Sequence, residues 1–235
     1  MKLSSLQPAV ISAHTESAQR FLASAYDSVN HVFETLDTVR GIRKSLKGTV
    51  KGRTPANEED LLRAAIVFTG AGLDAALKQL VLDSLPVLLA QDRPLAHEKF
   101  EEFLKKKLER DGSVDATTLV RYLSSEKPRQ KMIDDYVYFL TGSSLQSVQE
   151  VRRVVSALGF GEKELHREIG GLKDLFIARN QVSHELDLQR PETQGDRSRR
   201  TRTISGTQSL CHTGLKVGQM IINDTAELLN ALEAH

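Results

Sequence analysis

Tryptophan is absent from this sequence, aromatic residues make up 5% of it, and cysteine occurs once, as Cys211. A lone cysteine excludes an intramolecular disulfide and any cysteine-cluster metal site. With so few rings, the core has to be aliphatic. No unbroken apolar run reaches the ~18 residues of a membrane-spanning helix. The opening residues, 1–17, lack the compact apolar core of a secretory signal, so a cytoplasmic location and no membrane partner are expected. Charge of one sign is also missing: 32 Lys and Arg against 31 Asp and Glu leave +1. A nucleic-acid role therefore cannot be argued from bulk charge and has to rest on local patches. What is present, 40% hydrophobic and 27% charged residues in a chain of 235, fits a globular fold of one elaborated domain or two small ones.

The apolar residues fall at helical spacing almost throughout. Leu22, Ala25, Val29, Val32, Leu36 and Val39 alternate steps of three and four, which predicts a long helix from about Ser5 to Lys47. Residues 48–52, Gly-Thr-Val-Lys-Gly, break it. Thr54-Pro55 and then Asn57-Glu-Glu-Asp60 read as a helix start, with a capping hydroxyl, a first-turn proline and acids near the positive end. The helix that follows carries Leu62, Ala65, Ile66, Thr69, Leu73, Ala76, Leu77 and Leu80, and is expected to kink or stop near Pro86.

Shorter helices are expected around Phe100–Leu108, Leu119–Leu123 and Ile133–Leu140. Ser144 is the expected cap of a helix through Val148, Val151, Val155 and Leu158, stopped by Gly159. A long helix from about Glu162 to Leu188, a polar loop from Gln189 to about Gly206, and a last helix from Thr207 to Glu233 complete the chain. No β-alternation or internal repeat is evident. The expected fold is all-α: one antiparallel helical bundle over 1–235, with 94–142 as a helical insertion.

Familiar enzyme signatures fail one by one. Gly41 to Ser45 lacks the second glycine of a phosphate loop, and Gly70-Ala-Gly72 and Gly159-Phe-Gly161 lack the third glycine of a dinucleotide turn. His97-Glu98 and His184-Glu185 have no second histidine at zinc-protease spacing. No Gly-x-Ser-x-Gly elbow exists. Cys211 reads as a small core residue, and neither metal nor cofactor is expected.

Residues 178–187, Ala-Arg-Asn-Gln-Val-Ser-His-Glu-Leu-Asp, stand apart. At about 100° per residue, Asn180 and His184 share a helix face, extended by Phe176 and Leu188. Arg179 lies about 140° around from His184 and falls on the stripe Leu172, Leu175, Val182, Leu186. An arginine beside buried surface needs an anion, or its long stem must carry the guanidinium toward Asn180 and His184. Two readings follow: Arg179 pairs with a core acid such as Asp74, or it belongs to a site with Asn180 and His184.

The stretch resembles the Arg-x(4–6)-His signature of HEPN domains, in which a polar residue, often asparagine, follows the arginine. The phrase Arg179-Asn-x-Val-x-His184-Glu-Leu-Asp187 looks particularly like the RiboL-PSP-type branch. The phrase from Phe68 through Asp74 to Lys78 is similar to an earlier HEPN helix in which an acidic residue recurs. The resemblance covers roughly 15–90 and 145–232 and leaves 94–142 unexplained. It implies a metal-independent endoribonuclease, assembled as a homodimer so that two copies of Arg179, Asn180 and His184 form one cleft. It also implies a setting in toxin–antitoxin or antiphage defence, with a cognate antitoxin or regulatory protein as a further partner.

The residue types suit that chemistry. Imidazole titrates near ~6.5 and serves as base or acid. Arginine offers a fork of donors matched to phosphate oxygens. Asp74 and Asp187 are the expected supporting acids, Asp187 acting on His184 if their side chains meet. The loop after the motif holds Arg190, Arg197, Arg199, Arg200 and Arg202 against Glu192 and Asp196, a local +3, and these arginines are the expected RNA-backbone contacts. The competing reading is a solvated loop on a non-catalytic RNA- or protein-binding module.

Overall fold

The computed structural model describes residues 1–48, 54–91, 93–110, 112–161 and 168–234. The described residues are all-α in class. Helix α1 (Glu16–Lys47) carries the stripe that begins at Leu22, and Leu22, Val29, Phe33 and Leu36 are fully buried. Helix α2 (Ala56–Ala90) lies against it in the opposite direction: Ala25 meets Gly72 near mid-length, and Arg43 meets Glu58 at the far end. Each fully buried leucine in this seam contributes about 1.5–3 kcal/mol.

Helix α2 is long and apolar enough to cross a membrane by length and composition, yet half of its most apolar window is buried within the fold. Its neighbours include α1, α5 (Pro128–Thr141), α7 (Lys173–Glu185) and α8 (Ile204–Glu233). Helix α8 runs parallel to α2. A Cβ on Gly214 would sit 3.0 Å from Thr69 Cγ2, and one on Gly218 would sit 2.9 Å from Leu73 Cδ1.

Between α2 and α7 lie α3 (Pro94–Leu108), α4 (Ala116–Leu123), α5 and α6 (Val148–Ala157). Residues Glu109–Arg110 and Ser113–Val114 pair as a two-residue antiparallel hairpin, β1 and β2. Phe100, Phe103, Ile133 and Tyr136 join the same buried cluster as the long helices.

Several expected boundaries move, among them the start of the last helix, which is Ile204 and not Thr207. The first helix starts at Glu16, not Ser5. Residues ahead of it cross the bundle as a strap whose backbone bonds go to side chains: Leu3 N donates to Asn30 Oδ1, Val10 N to Asn223 Oδ1, and Asn223 Nδ2 to Pro8 O. Pro8 cannot donate a helical bond, and Asn30 and Asn223 supply the alternative. Thr54 does not cap α2, because Pro55 occupies the cap position. Pro86 does not end α2, which continues to Ala90.

The cap of α6 is Ser147 rather than Ser144. Its hydroxyl accepts from Glu150 N, and the Glu150 carboxylate accepts from Gln146 N. Residues 162–167, the expected start of the long motif helix, lie outside the described residues. Residues 168–170 are helical, 171–172 form a turn, and α7 begins at Lys173 and ends at Glu185.

Glycine spacing gives a test of this packing. A Cβ on Gly72 would lie 2.1 Å from the Ala25 Cβ, whereas one on Gly41, in α1, meets nothing within 4 Å. Gly41→Ala is expected to stabilise the fold by about 0.5–1 kcal/mol through reduced chain entropy. Gly72→Ala is expected to cost about 1–3 kcal/mol by forcing α1 from α2. Urea denaturation checks both, and a Gly72→Ala variant as stable as the parent contradicts the packing.

Candidate functional site

Arg179, Asn180 and His184 meet on the outer side of α7. Arg179 Nη1 lies 3.2 Å from Asn180 Oδ1 and 3.2 Å from His184 Nε2. Guanidinium nitrogens only donate, so His184 Nε2 is the acceptor and the proton of the neutral ring sits on Nδ1. Asn180 and His184 are exposed, and Arg179 is half-buried.

The stem of Arg179 lies on α2 at Gly70, where a Cβ would be 3.0 Å from the arginine Cγ. Missing bulk at Gly70 thus lets an arginine occupy an apolar stripe and still turn its head outward. Leu172 and Leu175 on that stripe are fully buried, but Leu186 is exposed because the helix has already ended. Leu188 leaves the Asn180 row for the same reason and pairs with Arg199 as an isolated bridge.

The supporting acids lie elsewhere. Asp74 does not meet Arg179: it accepts from Leu145 N and pairs with Lys78 at 2.9 Å, tying the turn before α6 to α2. Among the described residues Arg179 has no carboxylate partner, and its Nε is buried without a hydrogen bond. The reading of Arg179 as a core ion pair with Asp74 is therefore overturned.

Asp187 does not support His184 either. It is fully buried, and its carboxylate accepts from Arg63 Nε at 2.8 Å and from Arg202 Nε at 3.0 Å and Nη2 at 2.5 Å. Its backbone accepts from Arg200 N, and its own N–H reaches Gln181 O. Leu186 and Asp187 take φ of 50° and 60°, a left-handed exit from α7 that non-glycine residues adopt only where surrounding contacts hold it.

The arginine loop divides accordingly. Arg202 is occupied by Asp187 and Gln181, Arg199 pairs with Asp60 at 2.6 Å, and Arg200 sits 2.9 Å from Glu185. Arg190 and Arg197 are exposed, without ion pairs among the described residues. Three of the five expected RNA contacts thus serve first to pin the loop, and Arg202 is structural.

Sequence reasoning missed Arg63, which is buried and donates to Glu59, Asp60, Asp187 and the Arg200 carbonyl. Glu59 and Asp60 stand four and three residues before it, a visible helical signal. Its third carboxylate comes from 124 positions away. Nothing in the sequence marks Gly70 as the seat of Arg179.

Among the described residues no group of three or more His, Cys, Asp or Glu side chains is placed to hold a metal ion. Cys211 is buried beside Thr69, and burial pushes its thiol up to about 12. No family model, curated protein or solved structure matches this chain.

Asp187→Ala removes the carboxylate that Arg63 and Arg202 share and should cost about 3 kcal/mol, whereas Arg179→Ala should cost no more than about 1 kcal/mol. Denaturant unfolding that ranks them the other way contradicts these assignments. Cys211 should resist iodoacetamide at pH 8 in the native protein and react on unfolding, since little thiolate forms there. Labelling of the native protein as fast as a free thiol contradicts the burial.

Proposed function

We propose that this protein is a metal-independent endoribonuclease of the HEPN type, acting as a homodimer. The observation that carries the reading is the joint approach of Arg179 to Asn180 and His184, with no acid taking up the guanidinium. A cation without an anion, next to an imidazole at an exposed helix end, is suited to a phosphodiester.

The chemistry follows from the atoms. His184 Nε2 takes the proton from a ribose 2′-hydroxyl, and the 2′-oxygen forms its bond to phosphorus. The P–O5′ bond breaks, and the departing oxygen takes a proton from the partner subunit's His184. Arg179 turns from the imidazole to the non-bridging oxygens, where its fork steadies the growing charge. Asn180 keeps the arginine head in place. The products are a 2′,3′-cyclic phosphate and a 5′-hydroxyl.

A single motif supplies one imidazole, whereas the reaction uses a base and an acid. An isologous contact beside α7 brings two together. Exposed Phe68, Ile177 and Leu186, which are close in sequence to Gly70, Arg179 and His184, offer apolar surface for that contact. A stable form buries at least ~1,000 Å² in total. Arg190 and Arg197, exposed in the loop after α7, are the remaining candidates there for contacts to the RNA backbone. A cytoplasmic setting in toxin–antitoxin or antiphage defence, with a cognate antitoxin or regulatory partner, fits an enzyme that cuts RNA. The second reading, a non-catalytic RNA- or protein-binding module, uses the same exposed face without the reaction.

The test is cleavage of labelled RNA by purified protein in EDTA. The expected outcome is activity with a bell-shaped pH profile around neutrality, lost in His184→Ala and in Arg179→Ala while both remain folded. Heterodimers of wild-type and His184→Ala subunits should be nearly inactive, because each composite site lacks one imidazole. Activity that needs Mg²⁺ would falsify the mechanism, and half-active heterodimers would overturn the composite site.

A further inference from the structure

A cleft of about 760 Å³ lies away from the motif in the sequence, among α3, α4, α5 and α6. Its charges do not cancel. Glu102 is taken by Lys99 at 2.9 Å, and Asp135 by Arg121 at 2.8 Å and Lys131 at 3.2 Å. Lys106, Lys107 and Arg153 also line it; all three are exposed, and none has an ion pair among the described residues.

Two rings stand beside these cations. Tyr138 is 74% exposed, and its ring leans on the Gly142 backbone, where a Cβ would be 3.3 Å from its Cζ. Phe139 is 47% exposed, braced by the Phe103 ring at 5.2 Å and the Arg153 guanidinium at 5.3 Å. Tyr138, three-quarters exposed, adds little to the core, and its ring sits beside the Gly142 backbone.

We propose that this cleft binds a single-stranded stretch of RNA, with a base stacked on Tyr138 and the backbone on Lys106, Lys107 and Arg153. The inference rests on the endoribonuclease reading for its choice of RNA. Stacking on a propped ring combined with nearby cations is how single strands are held without sequence preference. A duplex hides its base faces and cannot stack there, and an acidic peptide offers charge without planes. The inserted segment then supplies substrate affinity through residues outside the motif.

The experiment is fluorescence anisotropy of a short labelled oligouridylate in EDTA, using the full chain carrying His184→Ala so that no cleavage intervenes. Adding Tyr138→Ala should weaken binding about 5- to 100-fold, and Tyr138→Phe should restore it. Adding Lys106→Ala with Lys107→Ala should flatten the log–log salt dependence by about 1.4, about 0.7 for each phosphate no longer neutralised. Parent affinity in Tyr138→Ala overturns the proposal, as does equal competition by duplex RNA or polyglutamate. If wild-type protein cuts RNA and Tyr138→Ala changes neither Kd nor KM, this proposal fails and the nuclease reading stands. If the cleft binds as described and nothing is cut, the reverse holds.

Discussion

The arrangement depends on one buried carboxylate. Asp187 is fully enclosed and shared between Arg63 on α2 and Arg202 in the loop after α7. Burying these charges is costly, and it is offset only because each finds several partners: Arg63 alone donates to three carboxylates and a carbonyl. The geometric consequence exceeds the energetic one. Holding Asp187 inward forces α7 to end at Glu185 through two left-handed residues, so His184 falls in the last turn, exposed. The same contact folds the loop back onto α2 and engages arginines that otherwise look like a mobile basic tail.

Arg179 is the counterpart of that network. Arg63 and Arg202 are paired with carboxylates, while Arg179 has an amide oxygen and an imidazole nitrogen. Its position against Gly70 makes the difference, because a larger residue there would push the stem off α2. The end of α7 thus brings the two kinds of arginine together: α2 and the following loop each send one to lock onto Asp187, and the helix itself carries the idle cation just before. In the proposed reaction the idle one meets the phosphate.

The class of fold was legible because aliphatic spacing is a local signal. The stripe from Leu22 to Leu36 and the run from Leu62 to Leu80 are read within one helix and bury as expected. The convergence of Arg179, Asn180 and His184 was also legible, since all three lie within two helical turns. What was not legible is long-range. The helix start at Ser5 failed because Asn223, far along the chain, offers the N-terminal strap its hydrogen bonds. Asp187 read as a partner for His184. Its true partners, Arg63 and Arg202, come from another helix and from a loop whose path is not written in its own residues. Asp74 misled in the same way, since its role is to hold the turn at Leu145.

The central claim is that His184 activates a ribose 2′-hydroxyl for attack on the neighbouring phosphorus. The most direct measurement is mass spectrometry of the fragment ends after cleavage in EDTA, alongside an RNA carrying a single 2′-deoxy substitution at the cut position. The account predicts 2′,3′-cyclic phosphate and 5′-hydroxyl ends, and no cutting at the deoxy position. Fragments ending in 3′-hydroxyl and 5′-phosphate, or cleavage that persists at the deoxy position, would contradict it.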